Sequence, residues 1–111
     1  MQKNEMEKWI YNQMMYVYGV ETPFEYLKTL KKYKCTKHVS QNVTQDVLIL
    51  AGAEDHIIPL RMYKRQFKAL TNANSVTGRV FTKKERASNH CQVGNIGLAL
   101  HYIVDWINSK L

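Results

Sequence analysis

Apolar and polar residues alternate along this chain in two different periods. From Asn4 to Tyr18 the apolar residues Met6, Trp9, Ile10, Met14, Val17 and Tyr18 recur every three or four places, which predicts a helix with its stripe packed in a core and Gly19 as its stop. A second helix opens at Thr22-Pro23-Phe24-Glu25. There Thr22 can accept from the backbone near Glu25, Glu25 can reach back to the cap, and proline suits the first helical position. Phe24, Leu27 and Leu30 supply its apolar face, and the cations near Lys32 suit its negative end. Cys35 to Asp46 has no period and reads as an irregular connection with room for one helical turn.

Val47-Leu48-Ile49-Leu50-Ala51 does not alternate. Five apolar residues between Asp46 and Gly52 predict a strand covered on both faces, as in a parallel sheet between helices. Gly52 to Pro59 is the following loop. Pro59 opens a helix with Tyr63, Phe67 and Leu70 on one face, which ends at Asn72 and Asn74. Ser75 to Thr82 reads as a second strand weakened by Gly78. A polar loop runs from Lys83 to Asn95, and a last helix from Ile96 to Ser109 turns Ile96, Ala99, Leu100, Ile103 and Ile107 inward. Strand, helix, strand implies one right-handed crossover and an α/β fold. The reading is a single domain over residues 1–111, with a helical lead-in over 1–45 and the strands and their loops over 46–111. Two parallel strands leave edges unpaired, so the chain reads as incomplete, wanting a second copy or a missing N-terminal half.

Composition narrows the classes. The 111 residues are 45% hydrophobic and 23% charged, which suits a globular domain rather than a disordered chain. No window approaches the roughly 20 apolar residues of a membrane span, and the polar start, Met1 to Glu7, lacks the apolar core of a secretory signal. No membrane partner and a cytoplasmic location are therefore expected. The formal charge of +7 is spread over Lys28 to Lys37, Arg61 to Lys68 and Arg79 to Arg86. Without interleaved aromatics or a binding motif, that spread argues for solvated faces over a nucleic-acid patch, which stays as the alternative. Two cysteines are too few for a disulfide framework. Cys35-x-x-His38 could join His90-Cys91 around a metal. Adjacent residues seldom point both side chains at one tetrahedral ion, and no second Cys-x-x-Cys occurs, so neither metal nor cofactor is expected.

The chemistry lies in the loops. Ligands of open parallel sheets bind beyond the carboxyl ends of the strands. The loop after the first strand carries Asp55 and the loop after the second carries His90. A carboxylate set against an imidazole fixes its tautomer and stabilises its protonated form. Each residue has a plainer competitor: Asp55 as a turn residue capping the next helix, His90 as a satisfied loop histidine. Glu54 is a second acid candidate one place away. His56 reads as a loop residue, His38 and His101 as surface or packing residues, Asp105 as solvated surface, and Cys91 as packing.

The two loops resemble segments of the α/β-hydrolases. Val47-Leu48-Ile49-Leu50-Ala51-Gly52-Ala53-Glu54-Asp55-His56-Ile57-Ile58-Pro59 is similar to that family's penultimate strand, which is followed by Gly-x-x-Asp-x-x-x-Pro with the triad acid as the aspartate. Phe81 to Asn95, with its His90-Cys91-Gln92 run, resembles the histidine loop of the dipeptidyl-peptidase-like and esterase-like branch. The resemblance covers Asp46 to Leu111 well and the preceding residues loosely. It implies the last parallel strands of a hydrolase sheet flanked by helices. It also implies Asp55 and His90 as catalytic acid and base, and a small-molecule ester or an amide or peptide as substrate of the complete enzyme. Acid before histidine agrees with the family's order of serine, acid, histidine. Two departures stand out. Arg86 occupies a place where that branch often has glycine. No Gly-x-Ser-x-Gly occurs around Ser40, Ser75, Ser88 or Ser109, and no oxyanion-hole segment is present, so the chain by itself is expected to be inactive.

Overall fold

The computed structural model describes residues 3–111; Met1 and Gln2, part of the polar opening discussed above, lie outside the described residues. The chain divides into two compact units, Met1–Lys34 and Cys35–Leu111.

The first unit holds α1 (Lys3–Tyr18) and α2 (Pro23–Leu30). The capping box forms as the sequence spells it. Thr22 Oγ1 accepts from Glu25 N at 3.2 Å, and Glu25 Oε2 accepts from Thr22 N at 3.0 Å. The apolar stripe of α1 behaves differently from expectation. Met6, Trp9, Ile10 and Val17 are exposed, with Trp9 at 60%, as are Phe24, Leu27 and Leu30 of α2. The two helices meet through tyrosines instead. Tyr26 lies 6.1 Å from Tyr11 and 5.4 Å from Tyr18, and Tyr18 lies 5.7 Å from Tyr33, all in tilted or edge-on pairs. A helical period shows which side is apolar, not what covers it.

The second unit holds α3 (Lys37–Ser40), β1 (Asp46–Gly52), α4 (Leu60–Ala69), β2 (Ser75–Phe81), two 3₁₀ segments (Lys83–Glu85 and His90–Asn95) and α5 (Ile96–Asn108). β1 and β2 pair in parallel from Asp46↔Ser75 to Gly52↔Phe81. Tyr63 and Phe67 of α4 meet β2 at Gly78, where a Cβ would run into the Tyr63 hydroxyl and lie 2.9 Å from the Phe67 ring. The glycine that weakens the strand pattern is thus the place where α4 comes close. Trp106 of α5 donates to Thr77 Oγ1 at 3.0 Å. Phe81, Ala87 and Ala99 form the buried centre, with Leu50, Leu98 and Tyr102 against it.

The architecture inferred from the resemblance, the last strands of a hydrolase sheet flanked by helices, is not what this chain forms. The helical content is high, and the strands make a single two-stranded sheet with no wider parallel array among the described residues. In each strand six of seven residues are only half-buried. The unbroken run Val47–Ala51 was read as a strand covered on both faces. Its β-branched and long aliphatic residues suit an extended backbone whether or not a sheet surrounds it, so the run marked a strand without fixing the size of the sheet. The last helix is also rotated from expectation. Ile96, Leu100 and Ile107 are exposed, and Ala99 is buried with Leu98 and Tyr102 packed inward. A helix apolar on nearly every side gives its period nothing to select.

Candidate functional site

The parallel register brings the ends of β1 and β2 side by side, and the ladder continues one step as Ala53 N donates to Phe81 O at 2.9 Å. Both following loops therefore leave from one edge. Gly52 lets them close together. It is buried, and a Cβ built there would run into the Ser88 carbonyl oxygen and lie 2.6 Å from that of Asn89. Only a residue without a side chain allows the histidine loop's backbone to lie on the end of β1. Two further bonds fasten the loops: Glu54 N donates to Ser88 O at 2.8 Å, and Ser88 Oγ donates to Glu54 Oε2 at 2.7 Å.

Asp55 and His90 are brought together by this arrangement. His90 Nδ1 lies 2.9 Å from Asp55 Oδ2. Asp55 Oδ1 accepts from the backbone N–H of Ile57 and of Ile58, each at 2.8 Å. The two readings of Asp55 thus coexist in one side chain, with one oxygen closing the turn and the other meeting the imidazole. The Asp55 side chain is 7% exposed and that of His90 35%. Burial pushes the Asp55 carboxyl up. The Ile58 N–H, the His90 ring and the Ile57 N–H outweigh it and hold the group below its ordinary value, hence ionised at neutral pH. An ionised carboxylate only accepts, so the neutral ring must carry its proton on Nδ1 and present Nε2 as the basic nitrogen. Nε2 makes no hydrogen bond among the described residues.

The histidine loop is held in an unusual conformation. Arg86 has φ 57°, Cys91 φ 52° and Gln92 φ 53°, all in the left-handed region that non-glycine residues seldom enter. The first explains why glycine would suit position 86; the other two follow His90 directly, where surrounding contacts must hold them. Asn89 Oδ1 accepts from Gly94 N at 3.3 Å, and Asn95 donates to Glu85 O at 2.9 Å. Thr82-Lys83-Lys84-Glu85 forms a second capping box, and Glu85 also pairs with Arg79. The Thr-x-x-Glu spacing is the sequence signal for that turn, set in a stretch whose polarity alone indicates only a loop.

The remaining candidates lie elsewhere. Glu54 is occupied by Ser88 and serves as a fastener between the loops. His38 and His56 are exposed, and His101 pairs with Asp105 at 3.2 Å on the surface of α5. Cys91, expected to pack, is exposed, as is Cys35, and both are free thiols. Every serine hydroxyl is engaged away from His90: Ser40 with Gln66, Ser75 with Asp46 and Lys110, Ser88 with Glu54, and Ser109 with the Trp106 carbonyl. No group of three His, Cys, Asp or Glu side chains among the described residues is placed to hold a metal, and no helix among them is long and apolar enough to cross a membrane. Comparison with family models, with curated proteins and with solved structures finds no match in any of the three.

Proposed function

We propose that Asp55 and His90 are the acid and the general base of a serine-hydrolase-type triad for ester or amide cleavage, with the nucleophile supplied from outside these 111 residues. The observation that carries this reading is the 2.9 Å contact between Asp55 Oδ2 and His90 Nδ1, with Nε2 left open. An imidazole so oriented takes a proton from a hydroxyl at Nε2 and returns it to the leaving group, while the carboxylate stabilises the cation formed between the two steps. The likeness of the Gly52–Pro59 and Phe81–Asn95 loops to hydrolase loops supports the same assignment. The serine engagements described above argue that no serine of this chain is the attacking group. The two free, exposed thiols favour a reducing, cytoplasmic setting.

Mixed with p-nitrophenyl acetate, the chain alone should show no stoichiometric burst and no turnover above an equal concentration of free imidazole. A burst of nitrophenolate that His90→Ala abolishes would mean that a nucleophile lies within the chain, against the proposal.

A further inference from the structure

Helix α4 carries four cations, Arg61, Lys64, Arg65 and Lys68, and no acidic residue. At 3.6 residues per turn they fall within a single arc of about 100°. All four are exposed, while Tyr63 and Phe67 reach β2 at Gly78. None of the four forms an ion pair among the described residues, whose ion pairs are Arg79–Glu85 and Lys110–Asp46, with His90–Asp55 and His101–Asp105 charged only when the histidine is protonated. The helix also opposes its own electrostatics. Arg61 sits in the first turn, at the positive end of the dipole, with no side-chain cap. Arg61 faces Lys64 and Arg65, and Lys68 faces both as well, so like charges meet at every i,i+3 and i,i+4 spacing. Among the described residues no ion pair offsets that repulsion, which suits a partner outside the chain.

We propose that the outer face of α4 is a docking surface for an acidic helical segment of a protein partner. Carboxylates at i, i+3, i+4 and i+7 of such a helix would meet the four cations position for position, because residues so spaced line one helix face. The two guanidinium groups, one turn apart, suit paired carboxylates. Beside the cations Met62 is 49% exposed, and Ile58 before the helix is exposed too. That apolar edge distinguishes a protein partner from a phosphate backbone: methionine is enriched in protein interfaces, whereas phosphate contacts need only cations and donors. No aromatic side chain lies within the arc to stack a base. This surface is independent of the Asp55–His90 reading.

The test is a fluorescence-anisotropy titration of the full chain against a labelled helical peptide of about 15 residues. The peptide carries glutamates at i, i+3, i+4 and i+7 with a leucine beside them. A scrambled peptide of equal composition and a duplex DNA serve as competitors. The expected result is binding of the designed peptide over the scrambled one. Arg61→Gln with Arg65→Gln should weaken it about tenfold or more, and Met62→Ser should weaken it further. Lys31→Gln with Lys32→Gln, which alters the net charge by the same amount in the other unit, should leave it unchanged. Equal binding of the scrambled peptide, equal loss with the Lys31 and Lys32 pair, tighter binding of DNA, or no binding of the designed peptide would each overturn the proposal.

Discussion

Gly52→Ala should be strongly damaging, costing about 3 kcal/mol and lowering Tm by roughly 10–20 °C. The added methyl meets backbone rather than a side chain that could turn away: the carbonyl oxygens of Ser88 and Asn89 stand where it would go. Relief requires the whole histidine loop to lift. That motion would break Glu54 N–Ser88 O and Ser88 Oγ–Glu54 Oε2 and draw His90 from Asp55. Gly97→Ala is the matched control. Nothing lies within 4 Å of a Cβ there, and the residue sits in the first turn of α5, where alanine should be neutral or stabilise by up to about 1 kcal/mol. Thermal melts of the two variants beside the unaltered chain provide the check. Equal melting of the Gly52→Ala variant and the unaltered chain would mean that the loops are not in contact as described.

Asp55→Asn should give the second large effect, through acid stability. The folded carboxyl is held below its ordinary 3.8, so it binds a proton less readily than in the unfolded chain. Its contribution is therefore fully present above about pH 4 and disappears as pH falls through the lower folded value. Removing a carboxylate that accepts three hydrogen bonds should cost about 2–3 kcal/mol at neutral pH. Urea denaturation at a series of pH values should show that deficit at neutral pH and its closing as pH falls below about 4. Glu85 is also held low, by the Thr82 N–H first, then by Arg79 and the Thr82 hydroxyl, and both proteins should lose that contribution alike. A deficit that persists undiminished well below pH 3 would show that the carboxylate's charge does not act in the fold.

The sequence made some of these features legible and hid others, for identifiable reasons. Local signals translated directly: the Thr22–Glu25 capping box, the strand at Val47–Ala51, and the loops bearing Asp55 and His90 each depend on neighbours in sequence. Features set by distant contacts did not. Gly52 read as a strand terminator and Gly78 as a weak point. Their reasons, the Ser88 and Asn89 carbonyls and the Tyr63 and Phe67 rings, come from 11 to 37 residues away. The apolar stripe of α1 and the inward face of α5 were misplaced because periodicity reports which residues are apolar, whereas burial depends on the partner. The hydrolase-type sheet failed for the same reason. A five-residue aliphatic run specifies extended backbone, and among the described residues β1 pairs only with β2. What survives at the site is narrower than a fold: two loops from parallel strands, closed over a glycine, with a carboxylate against an imidazole.

The proposed chemistry depends on the orientation of that imidazole, which nitrogen-15 NMR of histidine-labelled protein reads out. In a neutral imidazole one ring nitrogen bears the proton and the other does not, and their signals report which is which. His90→Gln identifies its signals by their loss. The expected result is a protonated Nδ1, held by Asp55, and an unprotonated Nε2. A ring protonated at Nε2, or one averaging between tautomers as free histidine does, would contradict it.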